Sequence, residues 1–269
     1  MKALVAMSGG VDSSVAAWLV KERGAEVTGI TLKLFDGGTC CSIDDAIDAR
    51  RVADDLNIPF YLFNFKDEFS REVIDRFAES YKNGFTPNPC IDCNRYIKFE
   101  KLLNRAAALE FNFMVTGHYA RIERDGGLYL LKTGADPLKD QSYFLYMLNQ
   151  AQLAKTLFPV GEMTKSEVRR IATALKLATA RKKESQNICF VPDGNYADFM
   201  EERLGMKFGK GKIVDTKGAV LGKHNGFIRY TIGQRRGLGV SSPHPLYVCG
   251  VDPATDTVVA GRNEELYSK

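Results

Sequence analysis

The sequence predicts an α/β protein: a parallel sheet with helices on both faces, followed by a small mainly-β unit. In the first half of the chain, short apolar runs alternate with longer segments whose apolar residues recur at helical spacing, as in βα units. A turn rich in glycine and serine joins the first apolar run to the first helical segment. From about residue 205 short strands and glycine turns replace this alternation. We therefore predict one domain over 1–204 and a second over 205–269.

The elements of the first domain follow from their apolar patterns and boundary residues. Strands are expected over 3–7, 27–32, 59–63 and 111–115, and helices over 14–22, 44–56, 67–82 and 97–109. A hairpin is expected around Asp125-Gly126, and a helix over 164–177 begins with a capping box of Thr164 and Glu167. Asp140 or Ser142 is predicted to cap a helix whose aromatic residues fill the core.

Composition is that of an ordinary globular protein, with 45% hydrophobic and 26% charged residues among 269. No apolar run is long enough to cross a bilayer, and the first predicted strand begins at once. We therefore expect no signal peptide, no membrane association and a cytoplasmic location. There the six cysteines are metal ligands, reactive thiols or small buried residues rather than a disulfide framework. The net charge of +4, with basic clusters at 181–183 and 235–236, is compatible with a polyanion partner without requiring one.

The turn Ser8-Gly9-Gly10-Val11-Asp12-Ser13 lies where a strand meets a helix N-terminus, a place suited to an anion. Its glycines let a phosphate approach the backbone, and its serines add hydroxyl donors. Asp12 can hold the loop or a divalent metal. The string is neither a Walker loop nor Gly-x-Gly-x-x-Gly. It resembles the Ser-Gly-Gly-x-Asp-Ser loop of the ATP pyrophosphatases, which implies chemistry with ATP.

Two later stretches carry reactive side chains at expected element ends. Cys90 and Cys93 follow two prolines and precede the predicted helix, so Cys93 is expected near a helix N-terminus that favours a thiolate. Gly117 and His118 follow the fourth strand, and ligands of parallel sheets bind beyond the carboxyl ends of strands. Gly117 allows close approach there, while His118 stays open between a structural and a catalytic role.

Seven motifs occur along the chain, at 8–13, 86–89, 93–94, 116–119, 139–146, 188–190 and 231–235. In these motifs and their order the chain resembles the bacterial tRNA-uridine 2-sulfurtransferases, and the resemblance covers nearly its whole length. The resemblance implies an adenine nucleotide α-hydrolase-like fold and sulfur transfer to C2 of the wobble uridine in tRNA. It implies ATP and Mg²⁺, the tRNA anticodon stem-loop, and a sulfur donor protein or inorganic sulfide. The family usually continues into a C-terminal β-barrel domain, which we expect to be absent; the oligomeric state stays open.

The resemblance also implies roles position by position. ATP binding is implied for Ala6, Met7, Ser8, Gly9, Gly10, Val11, Asp12, Ser13, Leu32 and Gly117. Contacts with tRNA are implied for Asn88, Pro89, Cys90, His118, Lys139, Asp140 and Gln141. Catalysis is implied for Asp12, for Cys93 as the catalytic thiol, and for Cys189 as the carrier of a persulfide. Adenylation of O2 converts a poor leaving oxygen into AMP, which sulfur then displaces.

The chain departs from the family pattern at Cys90, where Asp is usual, so Cys90, Cys93 and Cys189 bring three thiols to the site. Three thiolates can hold a [4Fe–4S] cluster with one iron open to hydrosulfide, as in the cluster-dependent tRNA thiolation enzymes that this arrangement resembles. We expect such a cluster, because an extra thiol has no role in the persulfide scheme. The persulfide pair stays open. A structural zinc also stays open, with Cys40, Cys41 or His118 as the fourth ligand.

Two other functions remain open at this stage. An amidating or lysidine-type ligase would use the same loop without needing thiols. A non-catalytic nucleotide- and metal-binding protein would use the β unit to dock a partner. All of these functions would use the loop at 8–13. The cysteines are therefore the residues that distinguish sulfur transfer from the other two functions.

Overall fold

The computed structural model describes residues 1–36, 42–183, 188–191 and 195–267. The strands are β1 (Lys2–Ala6), β2 (Glu26–Lys33), β3 (Phe60–Asn64), β4 (Phe113–Val115), β5 (Ala120–Asp125), β6 (Leu128–Thr133), β7 (Thr156–Leu157), β8 (Gly211–Val214), β9 (Val220–His224), β10 (Tyr247–Asp252) and β11 (Thr257–Gly261). The α-helices are α1 (Val11–Glu22), α2 (Ile43–Asp55), α3 (Lys66–Phe69), α4 (Arg76–Lys82), α5 (Pro89–Asp92), α6 (Leu103–Ala108), α7 (Gln150–Leu153), α8 (Lys165–Ala174) and α9 (Tyr196–Leu204). Two stretches are π-helical, Ser70–Asp75 and Cys93–Leu102, and 3₁₀ turns cover Ser142–Leu145, Phe227–Arg229 and Asn263–Tyr267.

The contacts divide the chain into two units, which are residues 1–73 with 89–192, and residues 74–88 with 193–269. Helix α9 is grouped with the second unit, whereas the sequence places the domain boundary near residue 205. Segment 74–88 also belongs to the second unit, and no sequence signal indicates this. Among the described residues, no helix is both long and apolar enough to cross a membrane.

The first unit is built on a five-stranded parallel sheet of order β3-β2-β1-β4-β7. Side chains alternate between its faces along β1, so Ala3 and Val5 share one face and Leu4 lies on the other. All three are buried, as expected for a central parallel strand covered by helices. The predicted parallel sheet is therefore confirmed.

One core of the first unit joins this sheet to α1, α2 and α8. Its fully buried side chains include Val15 of α1, Val52 of α2 and Val168 of α8. Burying each such valine contributes roughly 1.5–3 kcal/mol relative to leaving it exposed. Helix α1 ends at Arg23 and Gly24, as predicted, and α8 begins with the predicted capping box. The core thus fixes α1 and α8 against the strands whose ends carry the predicted site.

Two predictions about helices are wrong. The helix expected from Ile97 begins at Pro89, because proline is well tolerated at a first helical position, where its missing amide is not needed. The helix expected after Asp140 is only the 3₁₀ turn Ser142–Leu145, and its aromatics do not fill the core. Tyr143 and Tyr146 are exposed, and Leu145 is the buried residue. The hairpin β5–β6 forms as expected.

The second unit contains a four-stranded sheet of order β10-β11-β8-β9. Its outer pairs are antiparallel, whereas β11 and β8 are parallel. Ile213, Val248 and Val258 are fully buried on these strands, so the unit has its own apolar core. Ring contacts within the unit join Tyr81 of α4 to Tyr196 of α9 at 5.2 Å between centroids. The expected small mainly-β unit is confirmed.

Candidate active site

The turn between β1 and α1 is fixed by its own side chains and by close packing. Ser13 Oγ donates to the Gly10 carbonyl at 3.1 Å and accepts from the Ser8 amide at 3.2 Å. Gly10 precedes α1 and has no side chain to cap it, so no N-cap side chain competes with an anion for the first-turn amides. At Gly9 φ is +70°, and a Cβ would lie 2.3 Å from the Asp45 carbonyl oxygen, so only glycine fits.

This turn lines a cavity of about 650 Å³ in the first unit. Of the residues assigned to ATP, those lining it are Ala6, Met7, Ser8, Gly10, Val11, Asp12, Ser13, Leu32 and Gly117. Of those assigned to tRNA, Pro89, Cys90, His118, Lys139 and Gln141 line it. Ile30 and Leu34 add apolar surface beside Leu32, which suits a nucleobase. Gly9, Asn88 and Asp140 are not among the lining residues. Asn88 belongs to the second unit.

Gly117 is the point where the end of β4 approaches the turn most closely. A Cβ on Gly117 would lie 2.6 Å from the Ser13 amide nitrogen and 2.7 Å from the Asp12 carbonyl carbon. Real Cβ atoms do not approach backbone this closely, so the strand and the turn pack together only because residue 117 is glycine. The missing Cβ of Gly117 thus serves this packing, and the contact with ATP expected of Gly117 stays a prediction.

We expect Gly117→Ala to weaken binding of a non-hydrolysable ATP analogue roughly 10- to 100-fold, because the added methyl must displace the Asp12–Ser13 backbone. Titration calorimetry measures the affinity. The matched control is Gly209→Ala, where a Cβ meets nothing within 4 Å. Unchanged affinity in a folded Gly117→Ala protein would show that the turn tolerates displacement.

Asp12 is held by two partners that the sequence does not reveal. Lys165 Nζ donates to both carboxylate oxygens, at 2.7 and 2.8 Å, and the Tyr119 hydroxyl donates to Oδ1 at 2.7 Å. The Lys165 side chain is only 11% exposed, so its charge acts in a poorly solvated place. Gln141 fixes Tyr119 in turn, because its Oε1 accepts from the Tyr119 amide at 3.0 Å. The loop aspartate is therefore pre-positioned by residues from three other parts of the unit.

A second lysine lines the same cavity from another direction. Lys182 Nζ contacts Asp45 Oδ1 at 2.7 Å and Asp48 Oδ2 at 2.6 Å. Burial lowers the pKa of Lys182, but the hydrogen bonds from Asp45 and Asp48 outweigh burial and leave that pKa raised. Lys182 is therefore a cation at neutral pH. Lys165 and Lys182 thus place two positive charges in the wall of the cavity. Asp12 pairs with the first, and Asp45 and Asp48 pair with the second.

Three thiols line the cavity, as predicted. Cys90 lies in α5 and is exposed, while Cys93 and Cys189 are half-buried. Cys90 occupies the first helical turn and Cys93 is the first residue of the π-helical stretch, so Cys93 lies one turn inside the helix rather than at its start. Lys98, from the same stretch, also lines the cavity. The turn between β1 and α1 and the three thiols thus line one cavity.

The thiols do not form a metal site in the part of the chain that the structure describes. There, no group of three or more His, Cys, Asp or Glu side chains is arranged to hold a metal ion. The geometry therefore does not support the expected [4Fe–4S] cluster or a zinc site, and the cluster stays a prediction. Cys40 and Cys41, the alternative zinc ligands, lie outside the described residues. Magnesium brought by ATP needs oxygen ligands, and Asp12 and Asp45 are the carboxylates that line the cavity.

His118 is buried and hydrogen-bonded. Its Nδ1 lies 2.7 Å from Thr116 Oγ1, and its ring packs against Phe99 and Phe158 at 6.0 and 5.8 Å between centroids. Burial, aided by the charge of Lys98, lowers the pKa of His118 well below its usual value. The imidazole is therefore neutral at physiological pH, so it can exchange hydrogen bonds with a substrate but offers no positive charge to a phosphate.

The residues around Asp140 support the site rather than line it. Asp140 Oδ1 accepts from the Gly134 and Ser142 amides at 2.8 and 3.2 Å, which fixes the turn that follows Gln141. Burial raises the pKa of Asp140, but these hydrogen bonds outweigh it and leave that pKa lowered. Asn94 Nδ2 donates to the Phe144 carbonyl at 3.1 Å and so ties the Cys93 helix to the same turn. The tRNA contact expected of Asp140 stays a prediction.

Comparison with known proteins gives consistent matches over nearly the whole chain. The family model described as tRNA methyl transferase HUP domain matches residues 1–193, and the tRNA methyl transferase PRC-barrel domain matches residues 197–262. The tRNA-specific 2-thiouridylase MnmA of Geotalea uraniireducens is 54% identical over 279 residues, covering 99% of this chain and 74% of that protein. The MnmA of Geobacter metallireducens is 55% identical over 275 residues, covering 98% and 75%.

Among solved structures, the U34-tRNA thiolase NcsA from Methanococcus maripaludis with its [4Fe-4S] cluster matches at 19% identity and a TM-score of 0.47. The match covers 75% of this chain and 66% of that chain. At this identity and TM-score, the likeness says nothing about the ligands of this chain.

Proposed function

The chain belongs to the tRNA-specific 2-thiouridylase family, and from this premise we propose that it thiolates C2 of the wobble uridine by adenylating O2 and replacing AMP with sulfur. It is an enzyme of the tRNA-uridine 2-sulfurtransferase class, with tRNA as substrate, and its use of ATP fits the family. The observation that carries the mechanism is that one cavity is lined by both the phosphate-binding turn and Cys93 and Cys189.

The first step is transfer of AMP to the base. The uridine O2 attacks the α-phosphorus of ATP, the bond from that phosphorus to the bridging oxygen breaks, and pyrophosphate leaves. The first-turn amides of α1 and the two lysines, Lys165 and Lys182, stabilise the charge that develops on the leaving group. Magnesium bound to the triphosphate would add Lewis-acid stabilisation, with Asp12 as its protein ligand.

The second step replaces the oxygen with sulfur. We assign the terminal sulfur of a Cys189 persulfide as the nucleophile that attacks C2, whereupon AMP departs with the former O2. The Cys93 thiolate then attacks Sγ of Cys189 and breaks the sulfur–sulfur bond. The base keeps its sulfur as 2-thiouridine, and a Cys93–Cys189 disulfide remains. A thiol reductant returns both cysteines to thiols, and a persulfide donor then transfers its outer sulfur to Cys189 for the next turnover.

The side chains of the cavity separate this function from its alternatives. The family models are described by methyl transfer, which needs neither a pyrophosphate leaving group nor thiols. An amidating ligase would use the turn and the lysines but leave Cys93 and Cys189 without a role. A non-catalytic binding protein would not need Asp12 held by Lys165 and Tyr119. Adenylation followed by sulfur transfer uses all of these groups.

The direct test incubates the purified chain with ATP, unmodified tRNA, a thiol reductant and, in parallel reactions, a persulfide donor or sulfide. It measures 2-thiouridine by mass spectrometry of the tRNA hydrolysate. We expect one AMP and one pyrophosphate for each 2-thiouridine. Loss of 2-thiouridine from tRNA of a deletion strain is the matching result in cells. Unchanged 2-thiouridine in that strain, or none formed in vitro, would contradict the function.

A separate experiment decides the route of sulfur. If the expected cluster exists, anaerobically purified protein contains about four irons and absorbs broadly near ~400 nm, and Cys90→Asp abolishes the absorption. The persulfide route predicts no iron and full activity of Cys90→Asp with a persulfide donor. Iron and sulfide analysis of both proteins, paired with their activities, distinguishes the two outcomes.

A further inference from the structure

The second unit contains a loop to which the proposed function assigns no role. We name residues 231–240 the arginine loop; it lies between the 3₁₀ turn Phe227–Arg229 and β10. Gln234 holds it rigid, because its side chain accepts from the Thr231 amide at 3.0 Å and donates to the Arg236 carbonyl at 2.9 Å. Two backbone bonds anchor the loop to β10, from the Gly233 amide to the Val248 carbonyl and from the Val248 amide to the Gln234 carbonyl.

The loop presents two arginines whose charges are not neutralised. Arg235 and Arg236 are exposed, and within the described part of the chain neither guanidinium forms an ion pair or a hydrogen bond. Arg235 lines a cavity of about 240 Å³ together with Gly237, Gly239, Ser242 and His244, and none of the described residues that line it is Asp or Glu. Cavities that bury a drug-sized ligand are larger, roughly 300–1,000 Å³, so this one suits a single phosphate or ribose phosphate.

A hydrogen bond connects this loop to the segment that contains Asn88. Thr86 Oγ1 donates to Thr231 Oγ1 at 3.2 Å, although the two residues are 145 positions apart. Beside these threonines in sequence are Phe85, which is 69% exposed, and Ile232, which is 58% exposed. The bond between Thr86 and Thr231 therefore joins a segment with an exposed aromatic ring to the loop that carries the two arginines.

That combination matches the chemistry of single-stranded RNA. Exposed aromatic rings stack on bases without selecting their sequence, and arginines bind the phosphates between them. Asn88, which the family resemblance places against the target base, follows Thr86 by two residues. We propose that the arginine loop and Phe85 bind the sugar-phosphate backbone and one base of tRNA. This inference rests on the proposed function in one respect, which is that the bound RNA is tRNA.

The test measures binding of unmodified tRNA by fluorescence anisotropy between 50 and 300 mM salt, for the wild type and an Arg235→Gln/Arg236→Gln protein. We expect the variant to bind at least about fivefold more weakly at low salt. The slope of log K against log salt should become less negative by about 1 to 2, because each lost phosphate contact releases fewer counterions. The loss should be the same with tRNA carrying cytidine at the target position, since backbone contacts do not depend on the base.

The matched control is Lys217→Gln/Lys223→Gln, which removes two exposed charges from the same unit. It should change the slope by less than half as much. Phe85→Ala should weaken binding about tenfold and Phe85→Trp should retain it, because tryptophan also stacks. Both arginine and lysine variants should bind the ATP analogue normally.

The inference and the proposed function fail in different ways. If the wild type binds tRNA and the arginine variant binds it with equal affinity and slope, the surface is not an RNA site. An equal loss in the lysine control would also overturn it, because net charge would then explain the effect. If the wild type forms no 2-thiouridine, the proposed function fails instead, while the salt slopes still report whether this surface binds RNA.

Discussion

A Lys165→Ala protein is expected to release pyrophosphate at least about 100-fold more slowly than the wild type, with its affinity for AMP unchanged. Lys165 holds both oxygens of the loop aspartate and is largely shielded from water. When the triphosphate enters, its charge competes with Asp12 for the ammonium group. A fixed cation at that place stabilises the leaving pyrophosphate more strongly than water would, since the surroundings screen it poorly.

The measurement is pyrophosphate release in the presence of tRNA, paired with calorimetric titrations of AMP and of an ATP analogue. AMP lacks the β- and γ-phosphates. If Lys165 acts on those phosphates, removing it lowers the affinity for the ATP analogue and leaves the affinity for AMP unchanged. Lys165→Arg should keep part of the rate, because it keeps the charge. The control Lys155→Ala removes an exposed lysine of the same unit and should behave as the wild type. If AMP and ATP affinities fall together, Lys165 only positions Asp12.

Cys93→Ser is expected to lower formation of 2-thiouridine by at least about 1,000-fold while tRNA-dependent pyrophosphate release persists. Serine preserves the shape of the side chain but cannot attack the sulfur of Cys189, so the adenylated base forms and sulfur is not released. Cys93 and Cys189 line the same cavity as the turn. This supports a reaction in which the turn acts in adenylation and the two cysteines act in sulfur transfer. Mass spectrometry of the tRNA measures the product, and a pyrophosphate assay measures the first step.

The matched control is Cys249→Ser, because Cys249 lies on β10 in the second unit. Burial, with a smaller effect of Glu265, raises the pKa of Cys249, so it is mainly a protonated thiol at neutral pH. Its replacement should leave both steps unchanged. Full 2-thiouridine formation by Cys93→Ser would exclude the thiol mechanism and favour a ligase that uses only the turn.

The parallel sheet and the glycine-rich turn between β1 and α1 were predictable because both depend on local patterns. The run 3–7 is short and apolar, and the turn that follows contains the glycines that a close approach requires. The partners of Asp12 were not predictable in this way. Lys165 is 153 residues away in sequence, and it reaches Asp12 only because α1 and α8 pack on the same core. In the sequence, Lys165 stands out only because it follows Thr164, the N-cap of α8. That position indicates where a helix begins and says nothing about a contact with Asp12.

The wrong predictions have local physical causes. The sequence places the helix start at Ile97, whereas the helix begins at Pro89, because proline at a first helical position is compatible with a helix. Tyr143 and Tyr146 were expected in the core because aromatic residues usually are, but the short 3₁₀ turn turns them outward and buries Leu145. The domain boundary near residue 205 depends on a change in composition, which carries no information about segment 74–88. That boundary stays a prediction.

The π-helical stretch that begins at Cys93 determines which side chains share a face of the helix with that thiol. In an α-helix, side chains five residues apart point about 140° away from each other, so Cys93 and Lys98 would face different neighbours. A π-helix pairs each residue with the fifth one along, and here both side chains line the same cavity. The wider winding thus keeps Lys98 on the cavity side of the helix together with Cys93. The same sequence wound as an ordinary α-helix would turn Lys98 about 140° away from Cys93, so the helix pitch decides whether the two side chains share one cavity wall.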